Sequence, residues 1–368
     1  MANSSRNADE LYKHLQKNFD GQYWQCVKVL GTGLFGFVIL LTQKDSPHRH
    51  MAVKLAKKQG VDQLRQEIQI LREVNGAKHI VSILGFCDDL PTAIQARRRR
   101  AKGTGRLTPQ SAFDSFLGFE GPALGLEYLE HGTLRDLQRK LQETYPRKEI
   151  PNRVLWSLLY CLFRASHGLA FPIGANIGSP SKLETASNSS FLWPIAILNP
   201  RIGRTMGYAH NDLHTENVML TRSESEEEHM LTNTIAKVID LGLANRTVTA
   251  ATDNVWNAAS AMLQLITQSK ETEEGIYLGK VTDGATLLYP GFNSVDKDLR
   301  NLVMRCLWRR DNDRPTLQQA SDEARKALRD RRPDSFPDPA RETDEYIFDF
   351  MQQYLFDAGV DSSGFILV

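Results

Sequence analysis

The sequence has few cysteines and no excess of charge of either sign. Its four cysteines are far apart and lack the paired spacing of zinc sites or of disulfide frameworks. We therefore expect all four to be reduced thiols. Lys and Arg number 45 against 44 Asp and Glu, and this balance gives no overall field for nucleic acid or membrane surfaces. Partners must then be recognised by local sites, and neither nucleic acid nor a membrane is expected among them.

Long apolar runs are also missing. No stretch reaches the roughly 18 apolar residues that a transmembrane helix needs, and residues 1–6 lack the apolar segment of a signal peptide. An intracellular, cytoplasmic protein is expected. The basic run Arg97–Arg100 is compatible with nuclear import, with docking of an acidic partner, or with a solvated loop that binds nothing.

Short β-rich segments come first along the chain, and helical periodicity dominates after them. Strands are expected at 24–30, 37–41, 51–55, 79–86 and 122–129. Helices are expected at 7–18, 61–74, 153–170, 255–268, 296–308 and 316–330. Two further segments, about 88–121 and about 171–205, are interpreted as insertions. The pattern predicts an α+β protein.

Three glycines, Gly31, Gly33 and Gly36, have the G-x-G-x-x-G spacing. Their missing side chains let backbone N–H groups approach phosphate oxygens. A dinucleotide-binding fold would need a helix directly after the glycines, whereas residues 37–41 are β-rich. The glycines are therefore expected to close a hairpin, which argues against an NAD enzyme.

Lys54 is expected on a strand, with Ala52 on the same face because side chains alternate along a strand. The small Ala52 leaves room for a flat base, and the Lys54 ammonium can reach a phosphate. Glu67 shares the face of Leu71 on the following helix, at a position suited to burial. Because a buried carboxylate needs a cation, an ion pair between Lys54 and Glu67 is expected.

The densest group of polar residues lies at 208–220, where Asp212 and Asn217 stand five positions apart. Asp240 ends a second apolar segment at 236–239. Oxygen ligands from Asn217 and Asp240 suit a hard cation that bridges phosphates. Asp212 is then suited to orient an acceptor hydroxyl and to take its proton.

Together these residues resemble the motifs of eukaryotic-type protein kinases. The matching segments are Gly31–Val38, Lys54, Glu67, Leu126–Leu129, His210–Asn217, Asp240–Gly242, Val255-Trp256 and Arg314–Thr316. The resemblance implies a bilobal protein-kinase-like fold with a β-rich N-lobe and a helical C-lobe. It places the N-lobe at about 24–130 with the insertion at 88–121, and the C-lobe at about 131–330 with the insertion at 171–205. An N-terminal helical extension at 1–23 and a C-terminal tail at 331–368 flank this domain.

The resemblance also implies a role for each matching residue. ATP is the implied nucleotide, and Mg²⁺, or Mn²⁺ in its place, is the implied metal, with Asn217 and Asp240 as its ligands. The implied catalytic residues are Asp212, Lys54, Glu67 and His214. The implied nucleotide contacts are Leu30, Gly31, Gly33, Gly36, Val38, Ala52, Lys54, Glu127, Leu129 and Met219. Within this set, the segment from Leu126 to Leu129 resembles the hinge whose backbone receives adenine.

The sequence departs from the family pattern at several positions. Asn211 replaces the arginine that receives an activation-loop phosphate in many members, and His214 replaces the catalytic-loop lysine. Asn254 replaces an aspartate that braces the catalytic loop, with Asp253 as a candidate substitute. The segment after Asp240 is short, and no Ala-Pro-Glu follows it. Activity independent of phosphorylation of this segment is therefore expected.

Three functions remain open from the sequence. A divergent Ser/Thr-type protein kinase, which transfers the ATP γ-phosphate to a protein hydroxyl, is favoured by the nearly complete set of motifs. A small-molecule kinase of the aminoglycoside or choline kinase type is the alternative. Residues 210–214 resemble its catalytic loop, and the short segment after Asp240 suits a small acceptor. A pseudokinase that acts as a binding module is the third, although Lys54, Asp212, Asn217 and Asp240 are all present.

An aromatic stripe follows the last expected helix. Its members are Tyr346, Phe348, Phe350, Tyr354 and Phe356. Aromatic residues at helical spacing usually pack within a protein, so this part of the tail is expected to dock on the chain itself.

Overall fold

The structure is a computed structural model that describes residues 24–88, 121–144, 149–172, 206–222 and 232–356. Within these ranges it contains seven α-helices and eleven β-strands, so the expected α+β class is confirmed. The helix expected at 7–18, the Arg97–Arg100 run and most of the two insertions lie outside the described residues. The chain divides into two compact units. The first consists of 1–76, 81–128 and 240–243, and the second of 77–80, 129–239 and 244–368.

The first unit contains a five-stranded antiparallel sheet in the order β1-β2-β3-β5-β4. Its strands are β1 (Trp24–Thr32), β2 (Gly36–Gln43), β3 (Ser46–Ala56), β4 (Ile83–Cys87) and β5 (Ala123–Glu127). The edge strand β1 buries alternate residues, Trp24 and Cys26, as a strand with one face in the core does. The inner strands β2 and β3 bury nearly every residue near their centres, including Ile39, Met51 and Val53.

Among the described residues of the first unit, helix α1 (Val61–Glu73) packs beside the sheet. Its buried side chains recur at helical spacing and include Leu64, Ile68 and Leu71. Glu67 lies in the same apolar stripe and is only 1% exposed. The periodicity of α1 therefore fixes a carboxylate inside the unit.

The described residues of the second unit form six helices and three two-stranded sheets. Its helices are α2 (Leu134–Glu143), α3 (Asn152–Ala170), α4 (Ala250–Thr267), α5 (Lys297–Cys306), α6 (Leu317–Asp330) and α7 (Asp344–Met351). Its strand pairs are β6 (Gly207–Ala209) with β9 (Asn245–Thr247), β7 (Val218–Arg222) with β8 (Thr234–Val238), and β10 (Gly275–Tyr277) with β11 (Lys280–Thr282). Helix α3 has 16 of its 19 residues buried, and it packs against α4 and α6. It is the core helix of the unit.

Three element boundaries differ from the expected ones by four residues or more. Strand β3 begins at Ser46 rather than at 51. Helix α4 begins at Ala250 rather than at 255, because the first turn carries small and polar side chains that give no apolar periodicity. Strand β4 begins at Ile83 rather than at 79. His79 and Ile80, expected at its start, belong to the second unit, where Ile80 forms a parallel bridge with Val238.

The state of the cysteines and the apolar length of the helices were also predicted from composition. All four cysteines are buried free thiols, as expected. Within the described ranges, none of the helices is long and apolar enough to cross a membrane.

The tail after α6 packs on the second unit, as its aromatic stripe predicts. Phe350 and Tyr354 are buried, and the Tyr354 carbonyl accepts a hydrogen bond from Lys140 Nζ at 3.1 Å. The ring of Phe356 contacts the His131 ring edge to face, with centroids 4.8 Å apart, and lies 4.6 Å from the Arg222 guanidinium. The described part of the tail is therefore part of this unit.

Glu342 attaches the tail to the first turn of α3. Its Oε1 accepts hydrogen bonds from the Asn152 backbone N–H at 2.7 Å and from Asn152 Nδ2 at 3.0 Å, and its Oε2 accepts from the Arg153 N–H at 2.9 Å. Pro151, at the N-cap position, offers no capping side chain. A carboxylate at a helix N-terminus both pairs orphan N–H groups and complements the helix dipole. A residue from the tail thus supplies the cap that the local sequence lacks.

We expect Glu342→Gln to lower the free energy of unfolding by about 2 kcal/mol. The neutral amide can accept through one oxygen only and presents its NH₂ group to a backbone N–H that it cannot pair. Urea denaturation followed by circular dichroism measures the loss. Glu345→Gln, an exposed change one turn away on α7, is the matched control, and an equal effect of the two changes would contradict the capping role.

Candidate functional site

The glycine-rich segment forms the turn between β1 and β2, as its spacing predicts. The Gly33 N–H donates to the Gly36 carbonyl at 2.8 Å and closes the hairpin. A Cβ at Gly36 would lie 2.4 Å from the Leu55 carbonyl oxygen, so this position admits only glycine. Gly31 and Gly33 are exposed, and their backbone is open to solvent.

Lys54, Glu67 and Asp240 form an ionic cluster in the first unit. Lys54 Nζ donates to Glu67 Oε2 at 2.7 Å and to Asp240 Oδ1 at 2.9 Å. The β2–β3 register pairs Lys54 with Val38, and α1 supplies Glu67 from its buried stripe. The predicted ion pair is present, while the bond to Asp240 is a contact that the sequence did not predict.

The cluster combines one buried acid with one accessible acid. Burial opposes the charge of the Lys54 ammonium, but the carboxylates of Glu67 and Asp240 outweigh it and raise the pKa of Lys54. The Asp240 side chain is 47% exposed, and its backbone has a left-handed φ of 57°. Non-glycine residues seldom adopt this conformation, and it concentrates at functional sites. Asp240 is thus held by Lys54 while its carboxylate stays open to a ligand.

We expect Lys54→Met to destabilise the protein by about 3 kcal/mol at pH 8, because it leaves the Glu67 carboxylate buried without its cation. The pKa of Glu67 in the folded variant then lies above its value in the unfolded chain. Below that raised pKa Glu67 is neutral, so the loss of stability should shrink as the pH falls from 8 to 5. Urea titrations at the two pH values measure the change.

The double variant Lys54→Met/Glu67→Met is the control, because it removes both charges and replaces them with apolar side chains. It should recover most of the stability that Lys54→Met loses at pH 8. A single variant as unstable at pH 5 as at pH 8 would show that the buried charge of Glu67 is not the cause.

The residues predicted to contact the nucleotide lie in both units. In the first unit Ala52 is buried at the centre of β3, and Leu30 and Val38 are half-buried. Glu127 is held by Ser82, whose N–H donates to Glu127 Oε1 at 2.6 Å and whose carbonyl accepts from the Glu127 N–H at 3.0 Å. In the second unit the two remaining residues are Leu129, which is buried, and Met219, which is half-buried on β7.

Asp212, His214 and Asn217 lie together in the loop between β6 and β7. Asn217 Nδ2 donates to the Asp212 carbonyl at 2.9 Å and to its Oδ2 at 3.2 Å. His214 Nδ1 accepts from the Glu216 N–H at 3.2 Å, and the other ring nitrogen, Nε2, lies 3.3 Å from Asn217 Nδ2. His214 Nε2 also lies 3.6 Å from Asp212 Oδ1. The Asn217 amide therefore orients the Asp212 carboxylate, and the His214 ring lies beside it.

Asn254 braces this loop from α4. Its Oδ1 accepts from the His210 N–H at 3.0 Å, and its Nδ2 donates to the Tyr208 carbonyl at 2.8 Å. Asp253, the candidate substitute, instead accepts from the Thr249 hydroxyl at 2.6 Å. The substitute role considered for Asp253 is therefore wrong. The amide of Asn254 is chemically suited to its place, because it has one acceptor for the N–H and one donor for the carbonyl.

We expect Asn254→Ala to lower the free energy of unfolding by about 2 to 4 kcal/mol, because a buried N–H and a buried C=O each lose a partner. The His210 amide should also exchange its hydrogen faster under native conditions. Asn257→Ala, which lies in the same helix and is only half-buried, is the control. Unchanged exchange at His210 in Asn254→Ala would contradict the bracing role.

The segment after Asp240 is held on the loop by hydrogen bonds and by a cation–π contact. Asn211, at a left-handed φ of 63°, donates from Nδ2 to Asn245 Oδ1 at 3.0 Å. Arg246 Nε donates to the Tyr208 hydroxyl at 2.9 Å, and its guanidinium lies 5.1 Å from the Tyr208 ring centroid. Strand β9 pairs with β6 beside these contacts. Residues 245–247 are thus attached to the loop by side-chain contacts and by strand pairing.

The two predicted metal ligands are suitable donors for magnesium. The amide nitrogen of Asn217 is engaged by Asp212, which leaves Oδ1 as its acceptor atom. Asp240 offers an accessible carboxylate. Magnesium is typically held by one or two carboxylates together with waters and phosphate oxygens. Among the residues that the structure describes, no group of three or more His, Cys, Asp or Glu side chains is arranged to hold a metal.

Comparison with known proteins assigns no family to the chain. Neither a scan of protein-family models nor a search of curated proteins finds a match. The roles of the residues are therefore argued from the contacts described above.

Proposed function

We propose that this chain is an ATP- and magnesium-dependent phosphotransferase with a protein-kinase-like fold, and that it transfers the γ-phosphate to a Ser or Thr hydroxyl of a protein. The observation that carries the proposal is the Lys54 ammonium, held between Glu67 Oε2 at 2.7 Å and Asp240 Oδ1 at 2.9 Å. A structural ion pair needs only the buried Glu67. The additional carboxylate of Asp240, strained and accessible, favours a ligand-binding role.

Each residue of the ionic cluster has a distinct task in this proposal. Glu67 fixes the Lys54 ammonium so that its charge can be presented to phosphate oxygens without a search through side-chain rotamers. Lys54 also holds the Asp240 carboxylate in position. When bound, the metal neutralises charge on the phosphate oxygens and orients them for transfer. Asp240 and Asn217 would each contribute one oxygen ligand to it.

Asp212 takes the role of general base. Its carboxylate is oriented by Asn217 Nδ2 and faces His214 Nε2, and it is well placed to orient an acceptor hydroxyl and to receive its proton. The His214 imidazole stands beside the base in place of a lysine ammonium. Leu30, Val38, Ala52 and the backbone at Glu127 and Leu129 would receive the adenine ring.

We expect Asp240→Asn to abolish turnover and to weaken magnesium-dependent ATP binding at least about tenfold, because the amide keeps an acceptor for Lys54 but loses the charge that attracts the metal. Calorimetric titration with ATP, with and without magnesium, measures this change. Asp62→Asn, an exposed change on α1, is the matched control. If the unaltered protein binds ATP equally well without any divalent metal, the assignment of Asp240 as a ligand is wrong.

A small-molecule acceptor is the second candidate function. The observation that favours it is the short segment after Asp240, whose residues 245–247 are engaged by Asn211 and Tyr208. A screen with γ-labelled ATP against a Ser/Thr peptide library and against a set of aminoglycosides and amino alcohols distinguishes the two acceptors. Label in peptides supports the protein kinase, and label in small alcohols supports the alternative. Binding of ATP without transfer to any acceptor would support a pseudokinase.

A further inference from the structure

Three consecutive carbonyls of the glycine-rich turn accept hydrogen bonds from one short segment, residues 57–60. The Gly33 carbonyl accepts from Lys57 Nζ at 2.6 Å, and the Leu34 carbonyl accepts from Gln59 Nε2 at 2.6 Å. The Phe35 carbonyl accepts from the Lys57 backbone N–H at 2.8 Å. The tip of the hairpin is thus joined along one side to the chain that connects β3 to α1.

Gly60 shows how closely the two segments approach. A Cβ at this position would lie 2.0 Å from the Phe35 carbonyl oxygen. Its φ of −106° is open to any residue, so backbone conformation does not require glycine there. The requirement is the space that the turn occupies.

The direction of these carbonyls determines the direction of the N–H groups in the turn. In a trans peptide unit the C=O and the following N–H point in opposite directions. The N–H groups of Leu34, Phe35 and Gly36 therefore point away from residues 57–60. Successive backbone N–H groups on one side of a turn form an anion-binding concavity.

We propose that Lys57, Gln59 and Gly60 are positioning residues for the phosphate groups of the nucleotide. They act from the carbonyl side of the turn, and they direct its N–H groups toward the phosphates without contacting the nucleotide themselves. This inference rests on the proposed function, since it assigns the ligand of the turn as a nucleotide phosphate. We call Lys57, Gln59 and Gly60 the turn clamp.

The clamp contributes little to global stability, and this property makes it testable. Lys57 and Gln59 are exposed, and hydrogen bonds from exposed, flexible side chains change the free energy of unfolding only slightly. These hydrogen bonds instead restrict the motion of the turn, whose tip residues Leu34 and Phe35 are themselves exposed. Lys57→Met/Gln59→Met should therefore leave thermal unfolding unchanged while the turn becomes mobile.

The first measurement compares two ligands that differ only in phosphates. In Lys57→Met/Gln59→Met we expect the Kd of ATP with magnesium to rise about tenfold, and that of adenosine, measured by displacement of ATP, to change less than about twofold. Lys58→Met removes a neighbouring lysine charge and should leave both constants unchanged. Gly60→Ala should act like the double variant, because its methyl group displaces the turn.

The second measurement needs no nucleotide. Chymotrypsin cleavage after Leu34 or Phe35, followed by mass spectrometry, should be faster in the double variant than in Lys58→Met. Equal cleavage rates would overturn the clamp, and faster cleavage with an unchanged ratio of ATP to adenosine affinity would overturn its role toward phosphates. If the unaltered protein binds neither ligand, the proposed function fails and the phosphate role fails with it, while the cleavage rates still report whether the clamp orders the turn.

Discussion

The burial of one carboxylate, Glu67, is the constraint on which the first unit depends. An ionised acid removed from water is tolerated only beside a cation, and Lys54 is that cation. The pairing sets the rotation of α1 against the sheet, since a shift of one residue along the helix would turn Glu67 out of its stripe. It also leaves the Lys54 ammonium with capacity for a second acid, which fixes Asp240. The positions of the Lys54 and Asp240 charges thus follow from the burial of the Glu67 carboxylate.

In the second unit, neutral amide side chains hold the loop around Asp212 in place. Asn254 bridges a backbone N–H and a backbone carbonyl, Asn217 bridges the carbonyl and the carboxylate of Asp212, and Asn211 pairs with Asn245. Amides carry a donor and an acceptor on one planar group, so they suit places where both kinds of backbone group must be paired. Such contacts are less sensitive to salt than ion pairs are. The loop around Asp212 is consequently built to keep its shape over a range of ionic conditions.

Much of the fold could be predicted from local pattern. The alternation in β1, the β-rich residues after Gly36 and the apolar spacing of α1 and α3 each have a local cause, and each element forms near its predicted place. The first turn of α4 was missed because it contains only small and polar residues. The start of β4 was misplaced because residues 77–80 pair with β8, a contact that no local periodicity records.

For the candidate site, the residues themselves were easier to predict than the side chains and backbone groups with which they form hydrogen bonds. Lys54 and Glu67 are separated by one strand end and part of one helix, so their pairing follows from simple geometry. The bond from Lys54 to Asp240 spans 186 positions and that from His210 to Asn254 spans 44, and neither spacing has a local signature. Lys57 and Gln59 resemble ordinary surface residues, and their contacts with the turn depend on the tight approach at Gly60.

The cap that Glu342 places on α3 has a consequence for the order in which the chain can fold during synthesis. Helix α3 leaves the ribosome early, yet the carboxylate that pairs its first N–H groups lies 190 residues downstream. At typical elongation rates that interval lasts about 10 to 40 s, and throughout it the core helix of the second unit has an open, uncapped end. Loop closure over such a distance is slow compared with helix formation. The core of the second unit is therefore completed only after translation has passed its tail, so the nascent helix depends on other protection until then.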